Sequence, residues 1–328
     1  MKTALITGGL GFIGTNIAIK LLNEKRVNRC ILLDNFGGYI NPTRNNFYDY
    51  RKKRLDLISN KIIERCDTTN FKSVSNVINK YKPVLIYHTA ALPLAKLDNI
   101  NSDEARLGSV DSTINIIDSI DLLQNSKKNY KCERFIYISS SMVYGDFQTN
   151  TVNENSPKNP KDIYGIMKLA GEIVTEGVCK LKKVPFTIIR PSAVYGPTDM
   201  NRRVSQIFIE NAFTNKEIII EGKNEKLDFT FIEDLAKGCV LAGTKKQGIN
   251  QIFNITYGKG QSLYSYVLNL KKLIPNLNYK IKPRDETKPS RGTLSIAKAK
   301  KLLGFKPEFN LKKGIKKYFD FLVKNEIF

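Results

Sequence analysis

The stretch Thr7-Gly8-Gly9-Leu10-Gly11-Phe12-Ile13-Gly14 restricts this chain more than any other. An unbroken apolar run, TALIT, leads into it, and FIGTNIAIKLLNEK, with helical spacing, leads out. Glycine at positions 8, 11 and 14 lets the backbone turn sharply and approach closely whatever lies opposite. The first turn of the helix then points its free N–H groups at the same place, so the strand–turn–helix unit suits a pyrophosphate.

The unit recurs. CILLDN (30–35), IIERCD (62–67), VLIYHTAA (84–91), RFIYISSS (134–141) and PFTIIRP (185–191) read as short buried strands. Helical stretches cover about 12–25, 103–124 and 162–181. Strands alternating with helices mean right-handed βαβ crossovers and a parallel sheet. Beyond 197 the pattern loosens. A helix near 201–214, the run IIIEG, an extended segment passing into a helix over 228–243, a strand at 251–256 and helices near 262–273, 295–303 and 311–324 are expected. The expected fold class is α/β, a Rossmann-type doubly wound parallel sheet with a smaller, interwoven C-terminal substrate lobe. Residues 1–192 should form the first and 193–328 the second, with about 228–257 returning to the sheet.

Composition excludes several classes. Of 328 residues 41% are hydrophobic, enough for a full-size core. No apolar run reaches the roughly 18–20 residues that span a bilayer, and four glycines interrupt the N-terminal apolar run, so neither a membrane span nor a signal peptide is expected. Cytoplasmic residence follows as the expectation. The five cysteines (30, 66, 132, 179, 239) include no CxxC pair and the chain has one histidine, so no metal site is expected. The net charge is +22, and residues 271–328 carry sixteen Lys+Arg against five Asp+Glu. In LKKGIKKYFDFLV the lysines flank an apolar stripe, which reads as a solvated helix face. No basic motif interleaved with aromatics appears, so nucleic acid is not an expected partner.

Two further signals carry chemistry. Asp34 ends the second strand 20 residues after Gly14, where a carboxylate binds the adenosine ribose hydroxyls and repels a 2′-phosphate; NAD is favoured over NADP. Tyr164 and Lys168 are spaced i, i+4 on one helix face, where an ammonium would pull a phenol down from about 10 and make it a usable base. The fifth strand ends in Ser139-Ser140-Ser141, whose hydroxyls can bind the same substrate oxygen.

With these motifs the chain resembles the extended short-chain dehydrogenase/reductases, the NAD-dependent sugar-nucleotide epimerase/dehydratase family. The resemblance runs through TGGLGFIG, LLDN, CD at 66–67, YHTAA at 87–91, ISSSMVYG at 138–145, YGIMK, RPSAVYGP at 190–197, DFTFIED at 228–234 and KAKKLLGFKP at 298–307. It implies Tyr164 as the catalytic base, Lys168 as its partner and a ligand of the nicotinamide ribose, and Ser140 as the catalytic hydroxyl. It implies NAD held by Gly8, Gly11, Phe12, Ile13, Gly14, Asp34, Asn35, Asp67, Ala90 and Ala91, with Asp67 at the adenine amino group. His88 falls where the family often has histidine at a strand end and is expected to be structural.

Departures from the family sharpen the reading. Where 4,6-dehydratases of the family carry Asp-Glu after the catalytic hydroxyl, this chain has Ser141 and Met142, and a thioether cannot exchange a proton. Ala193, Leu227 and Ser109 replace an Asn, a diphosphate-binding Arg and another Asn. Substrate contacts are therefore expected from Ser141, Arg202, Arg203, Lys226 and Arg291. Residues 35–58 form an insertion whose NNFYDYRKKRL portion is similar to that of UDP-glucuronate 4-epimerases; it could close over the cofactor or pack beside the adenine pocket. The resemblance implies a nucleotide-sugar 4-epimerase of the UDP-glucose or UDP-glucuronate type acting through a 4-keto intermediate. A C4 dehydrogenase or keto-sugar reductase is the alternative, with a 4,6-dehydratase or a non-catalytic dinucleotide binder behind it. It also implies a homodimer through the helices near 103–124 and 162–181, with Leu107, Val110, Ile114 and Ile117 as a candidate face.

Overall fold

A computed structural model of the chain describes residues 1–37, 50–91 and 101–325. The first half runs β1 (Thr3–Thr7), α1 (Phe12–Asn23), β2 (Arg29–Asp34), α2 (Arg51–Asp56), β3 (Lys61–Arg65), α3 (Phe71–Tyr81), β4 (Leu85–His88), α4 (Ser102–Arg106), α5 (Ser112–Ser126), β5 (Arg134–Ile138), β6 (Thr151–Val152), α6 (Ile163–Leu181) and β7 (Phe186–Arg190). The second runs β8 (Val194–Tyr195), α7 (Val204–Phe213), β9 (Ile218–Glu221), β10 (Lys226–Leu227), β11 (Thr230–Phe231), α8 (Ile232–Thr244), β12 (Gln251–Asn254), β13 (Gln261–Ser262), α9 (Leu263–Lys271), β14 (Tyr279–Lys282), β15 (Thr293–Leu294), α10 (Ala297–Leu303) and α11 (Leu311–Lys324).

Seven strands pair in the order β12-β7-β5-β4-β1-β2-β3, all parallel. Strands so placed are covered on both faces, which is why TALIT is buried at every position. Alternation divides each strand between two cores. Ala4, Ile6 and Leu32 enter the core shared with α1, α8 and the second lobe, while Leu5, Ile31 and Leu33 enter the core under α3 and α5. Each fully buried Leu or Ile contributes roughly 1.5–3 kcal/mol, so Leu5→Ala should cost about 2–5 kcal/mol. The chain order reverses between β1 and β4, and at such a switch point the C-terminal strand ends leave a crevice.

The long helix expected over 103–124 is interrupted. Leu107–Asp111 forms a π-turn between α4 and α5. Ser112 Oγ donates to Gly108 O (2.9 Å) and Thr113 Oγ1 to Ser109 O (2.7 Å), so side-chain hydroxyls take the carbonyls one turn back, beside a glycine that favours helix least. Ile117, expected on a pairing face, is fully buried in the sheet core. Strand β14 was not anticipated: YKIK alternates apolar and polar residues over only four positions, none of them buried, and it pairs parallel with β9. The lysines of α11 are exposed while Leu311, Ile315, Tyr318 and Leu322 are buried, as a solvated face requires.

Among the described residues no helix is long and apolar enough to cross a membrane, and no group of three or more His, Cys, Asp or Glu could hold a metal ion.

Candidate active site

The crevice at the strand ends opens into a cavity of about 1350 Å³ between the sheet and the second lobe. On the sheet side its floor is the glycine turn. Gly8 has φ +63°, and a Cβ there would lie 2.9 Å from the Ala90 nitrogen; one at Gly14 would lie 2.5 Å from the Gly8 oxygen. The cradle can therefore exist only without side chains. Gly11 caps α1 with no side-chain hydrogen bond and no acid stands in the first turn, which leaves the first amides facing the cavity for an anion. Phe12 and Ile13 also line it.

Two carboxylates stand ready on this side. Asp34 accepts from Leu10 N (3.0 Å) and Phe36 N (2.9 Å), so the glycine turn itself orients it. Asp67 accepts from Thr69 N (2.9 Å), Thr69 Oγ1 (2.7 Å) and Asn35 Nδ2 (3.1 Å). Burial pushes the Asp67 carboxyl up, but Thr69 and Asn35 outweigh it and hold it below the usual range. Ala90 and Ala91 complete the wall after β4. This half fits a dinucleotide: a side-chain-free cradle for phosphates and charged acceptors for ribose and adenine.

The reactive groups come from α6 and the end of β5. Asp162 caps α6 by accepting from Gly165 N (2.6 Å), and the buried face of the helix carries Gly165, Lys168, Gly171, Glu172, Thr175 and Cys179 at helical spacing. Two charged residues on that face have dedicated partners. Glu172 takes a bidentate ion pair from fully buried Arg190 (Nε 2.8 Å, the second nitrogen 2.6 Å) and the Ser139 hydroxyl. Lys168 Nζ donates to Ile138 O (2.8 Å). Burial pulls the Lys168 ammonium down to about 7, with Glu172 opposing. Ser140 accepts from Met142 N (3.2 Å), which leaves its hydroxyl proton for a cavity oxygen.

Lys168 lies close to Tyr164, as their spacing on α6 requires. The ammonium lies 5.8 Å from the centroid of the phenol ring and is turned to the Ile138 carbonyl. Burial raises the Tyr164 phenol above its ordinary value, and what pulls it down is Arg203 and a hydrogen bond with Ser140. The second lobe thus also supplies a cation that acts on the phenol.

That lobe supplies the opposite wall. Ser141, Arg202, Arg203 and Arg291 line the cavity as expected. Lys226 does not: β10 alternates, so Leu227 turns inward while Lys226 is exposed. Arg284 and Lys288, not among the expected contacts, line it too. Most of these cations have acidic neighbours: Arg202 with Glu210 (3.6 Å), Arg284 with Glu225 (3.6 Å), Lys288 with Glu221 (2.9 Å). Arg203 and Arg291 have no such ion pair among the described residues, and each, like Arg284, has a buried Nε with no hydrogen-bond partner. Burial lowers the Arg291 guanidinium to about 10. Groups of this kind are costly until an anion meets them.

Arg54 was also missed. It is buried and donates to Leu10 O (2.7 Å) and to Thr198 O, which ties the glycine turn to the second lobe. The signal was the spacing Tyr50, Arg54, Ile58, all three buried, within an otherwise exposed basic run. Residues 38–49 of that insertion, including its tyrosine-rich part, lie outside the described residues.

Known proteins share this arrangement. The family model "NAD dependent epimerase/dehydratase family" matches residues 4–256. A putative UDP-glucose 4-epimerase of Methanocaldococcus jannaschii is 31% identical over 98% of both chains. The dTDP-D-glucose 4,6-dehydratase of Bos taurus is 26% identical over 99% of this chain and 89% of its own. The UDP-glucuronic acid 4-epimerase of Bacillus cereus, solved with UDP-glucuronic acid and NAD, superposes with a TM-score of 0.85 at 25% identity, covering 98% of this chain and 99% of that one. A glycine cradle with two anchored carboxylates, the Ser140–Tyr164–Lys168 group and these matches together make the protein an enzyme of the NAD dependent epimerase/dehydratase family.

Proposed function

We propose that the protein is a nucleotide-sugar 4-epimerase working through a transient 4-keto sugar. The observation that carries this is that Ser140, Tyr164 and Lys168 line one cavity wall, with the Lys168 ammonium 5.8 Å from the centroid of the Tyr164 ring, so a sugar hydroxyl at that wall would meet both hydroxyls. Tyr164 takes the proton of the C4 hydroxyl and returns it. Ser140 donates its free proton to the same oxygen and steadies it as charge develops. Lys168, a buried ammonium with one N–H spent on Ile138, keeps two for the cavity. NAD would be held by the glycine turn, Asp34 and Asp67, and would supply the hydride chemistry at C4.

Arg203 and Arg291 are the groups that would meet the diphosphate, since both line the cavity and neither is held in an ion pair of 4 Å or less among the described residues. Ser141 and Met142 follow Ser140 as an alcohol and a thioether, both buried, so the acid–base pair needed to eliminate water across C5 and C6 is not at these positions. This favours an epimerase over the dehydratases among the relatives. Homodimer formation is proposed through the exposed apolar side chains Leu122 on α5 and Ile166, Ile173 and Leu181 on α6; sedimentation of an Ile173→Lys variant should show a monomer.

The test is incubation of the purified protein, without added cofactor, with UDP-, GDP-, CDP- and dTDP-hexoses and UDP-uronates, followed by proton NMR and nicotinamide absorbance. Inversion at C4 with no net change in nicotinamide absorbance is expected. A keto sugar formed only in proportion to added NAD would replace the epimerase reading by a dehydrogenase.

A further inference from the structure

The strand β4 ends on the single histidine of the chain, His88, which is 1% exposed. Both ring nitrogens are engaged: Nδ1 lies 2.7 Å from Thr7 Oγ1 and Nε2 lies 3.2 Å from Ser112 Oγ. The neighbours set the direction of each bond. Ser112 spends its proton on Gly108 O (2.9 Å), so its oxygen accepts from the ring and the imidazole proton sits on Nε2. Thr7 Oγ1 accepts from Ala90 N (3.2 Å) and gives its own proton to Nδ1. Four hydrogen bonds thus run one way, from Ala90 N–H through Thr7, His88 and Ser112 to the Gly108 carbonyl.

Both ends of this chain are in the cavity wall. Ala90 lies against Gly8 of the cradle, and Gly108 belongs to the π-turn Leu107–Asp111. The His88 ring also packs on Tyr137 (centroids 5.9 Å apart), and the Lys168 ammonium lies 5.1 Å from the Tyr137 ring centroid.

We propose that His88, as the neutral Nε2–H tautomer, is a positioning residue: it sets the spacing between the end of β4 and the π-turn, and so the width of the cavity where NAD is held. An imidazole suits the task because it accepts at one edge and donates at the other across a rigid ring. Phenylalanine has a similar shape but breaks both links. A buried chain of aligned hydrogen bonds also strengthens its members mutually. Burial and the neighbouring Lys168 push the imidazole down to about 3, so the directions hold across physiological pH.

The inference concerns the NAD side of the cavity, and its test uses no sugar, so it can fail while the epimerase reading stands, and the reverse. With 15N-labelled histidine, one imidazole spectrum is expected, with the proton on Nε2 and no change from pH 5 to 8. A proton on Nδ1, or titration within that range, overturns the proposal. His88→Phe should weaken NAD binding about tenfold, the worth of about 1.4 kcal/mol. His88→Gln, which restores a donor toward Ser112, should recover to within about threefold. Equal NAD affinity for wild type and His88→Phe overturns the proposal, as does equal loss for Phe and Gln. Should His88→Phe not fold, Ser112→Ala removes only the last link: NAD binding about threefold or more weaker supports the proposal, and unchanged binding overturns it.

Discussion

The two walls of the cavity are built on opposite plans. On the sheet side the charged side chains already have partners: Asp34 rests on Leu10 and Phe36 amides, Asp67 on Thr69 and Asn35, Lys168 on the Ile138 carbonyl. On the second-lobe side Arg203 and Arg291 keep buried nitrogen without a partner. A wall already satisfied pays little reorganisation when it binds, and suits a cofactor that stays through each cycle. A wall holding unmet positive charge gains most from the arriving substrate, and its cation also acts on the Tyr164 phenol.

That contrast can be broken at several points. The largest effect is expected at the junction of the two walls. Tyr164→Phe should lower kcat by about 10²–10⁴-fold while NAD stays bound; a rate above about a tenth of wild type would remove Tyr164 from the role of base. Next, Arg203→Met and Arg291→Met should each raise KM for the nucleotide sugar by about 10–100-fold and leave NAD affinity unchanged, as loss of a charged hydrogen bond predicts. Calorimetry with NAD and steady-state kinetics would separate the two.

A third expectation concerns the pH dependence of stability. Unfolded His88 takes up a proton near 6.5, whereas the folded ring waits until about 3. Between those values the unfolded state binds more protons, so this contribution is present above pH 6.5 and is lost as pH falls toward 3. Denaturant melts of wild type and His88→Phe should therefore move about 2 kcal/mol in favour of the variant between pH 8 and pH 5. A gap that does not change with pH would contradict it.

On the cofactor wall, Asp34→Ala should weaken NAD about tenfold and leave KM for the sugar nucleotide within about twofold, the mirror image of the arginine variants. Smallest of all, Lys226→Met should alter kcat/KM by less than about twofold, because the side chain points to solvent from β10. A large effect there would mean that the second lobe closes further over substrate.

Much of the sheet side was legible in the sequence because its signals are local. The turn 8–14 needs glycine for steric reasons fixed within a few residues, Asp34 follows at the end of the next strand, and Tyr164 and Lys168 share a helix face by spacing alone. Where the strands end was less legible: β4 and β5 stop at His88 and Ile138, three residues before the expected strands do, and β7 stops at Arg190, one residue before, because the backbone there leaves the sheet to line the cavity. The second lobe was less legible still. β14, which pairs with β9, was not anticipated, and Arg284 and Lys288, not among the expected contacts, line the cavity.

By itself the sequence determined the doubly wound sheet, the dinucleotide cradle and the Tyr164–Lys168 spacing, because periodicity and short-range sterics dictate them, while Ser140 was singled out by the family resemblance. Only the tertiary structure decided which cations face the cavity, that Lys226 turns away, that Arg203 also acts on the phenol, and that His88 links Ala90 to the π-turn. Those depend on distances between segments dozens of residues apart, and no local pattern encodes which of two exposed-looking charges the packing of a second lobe will bury.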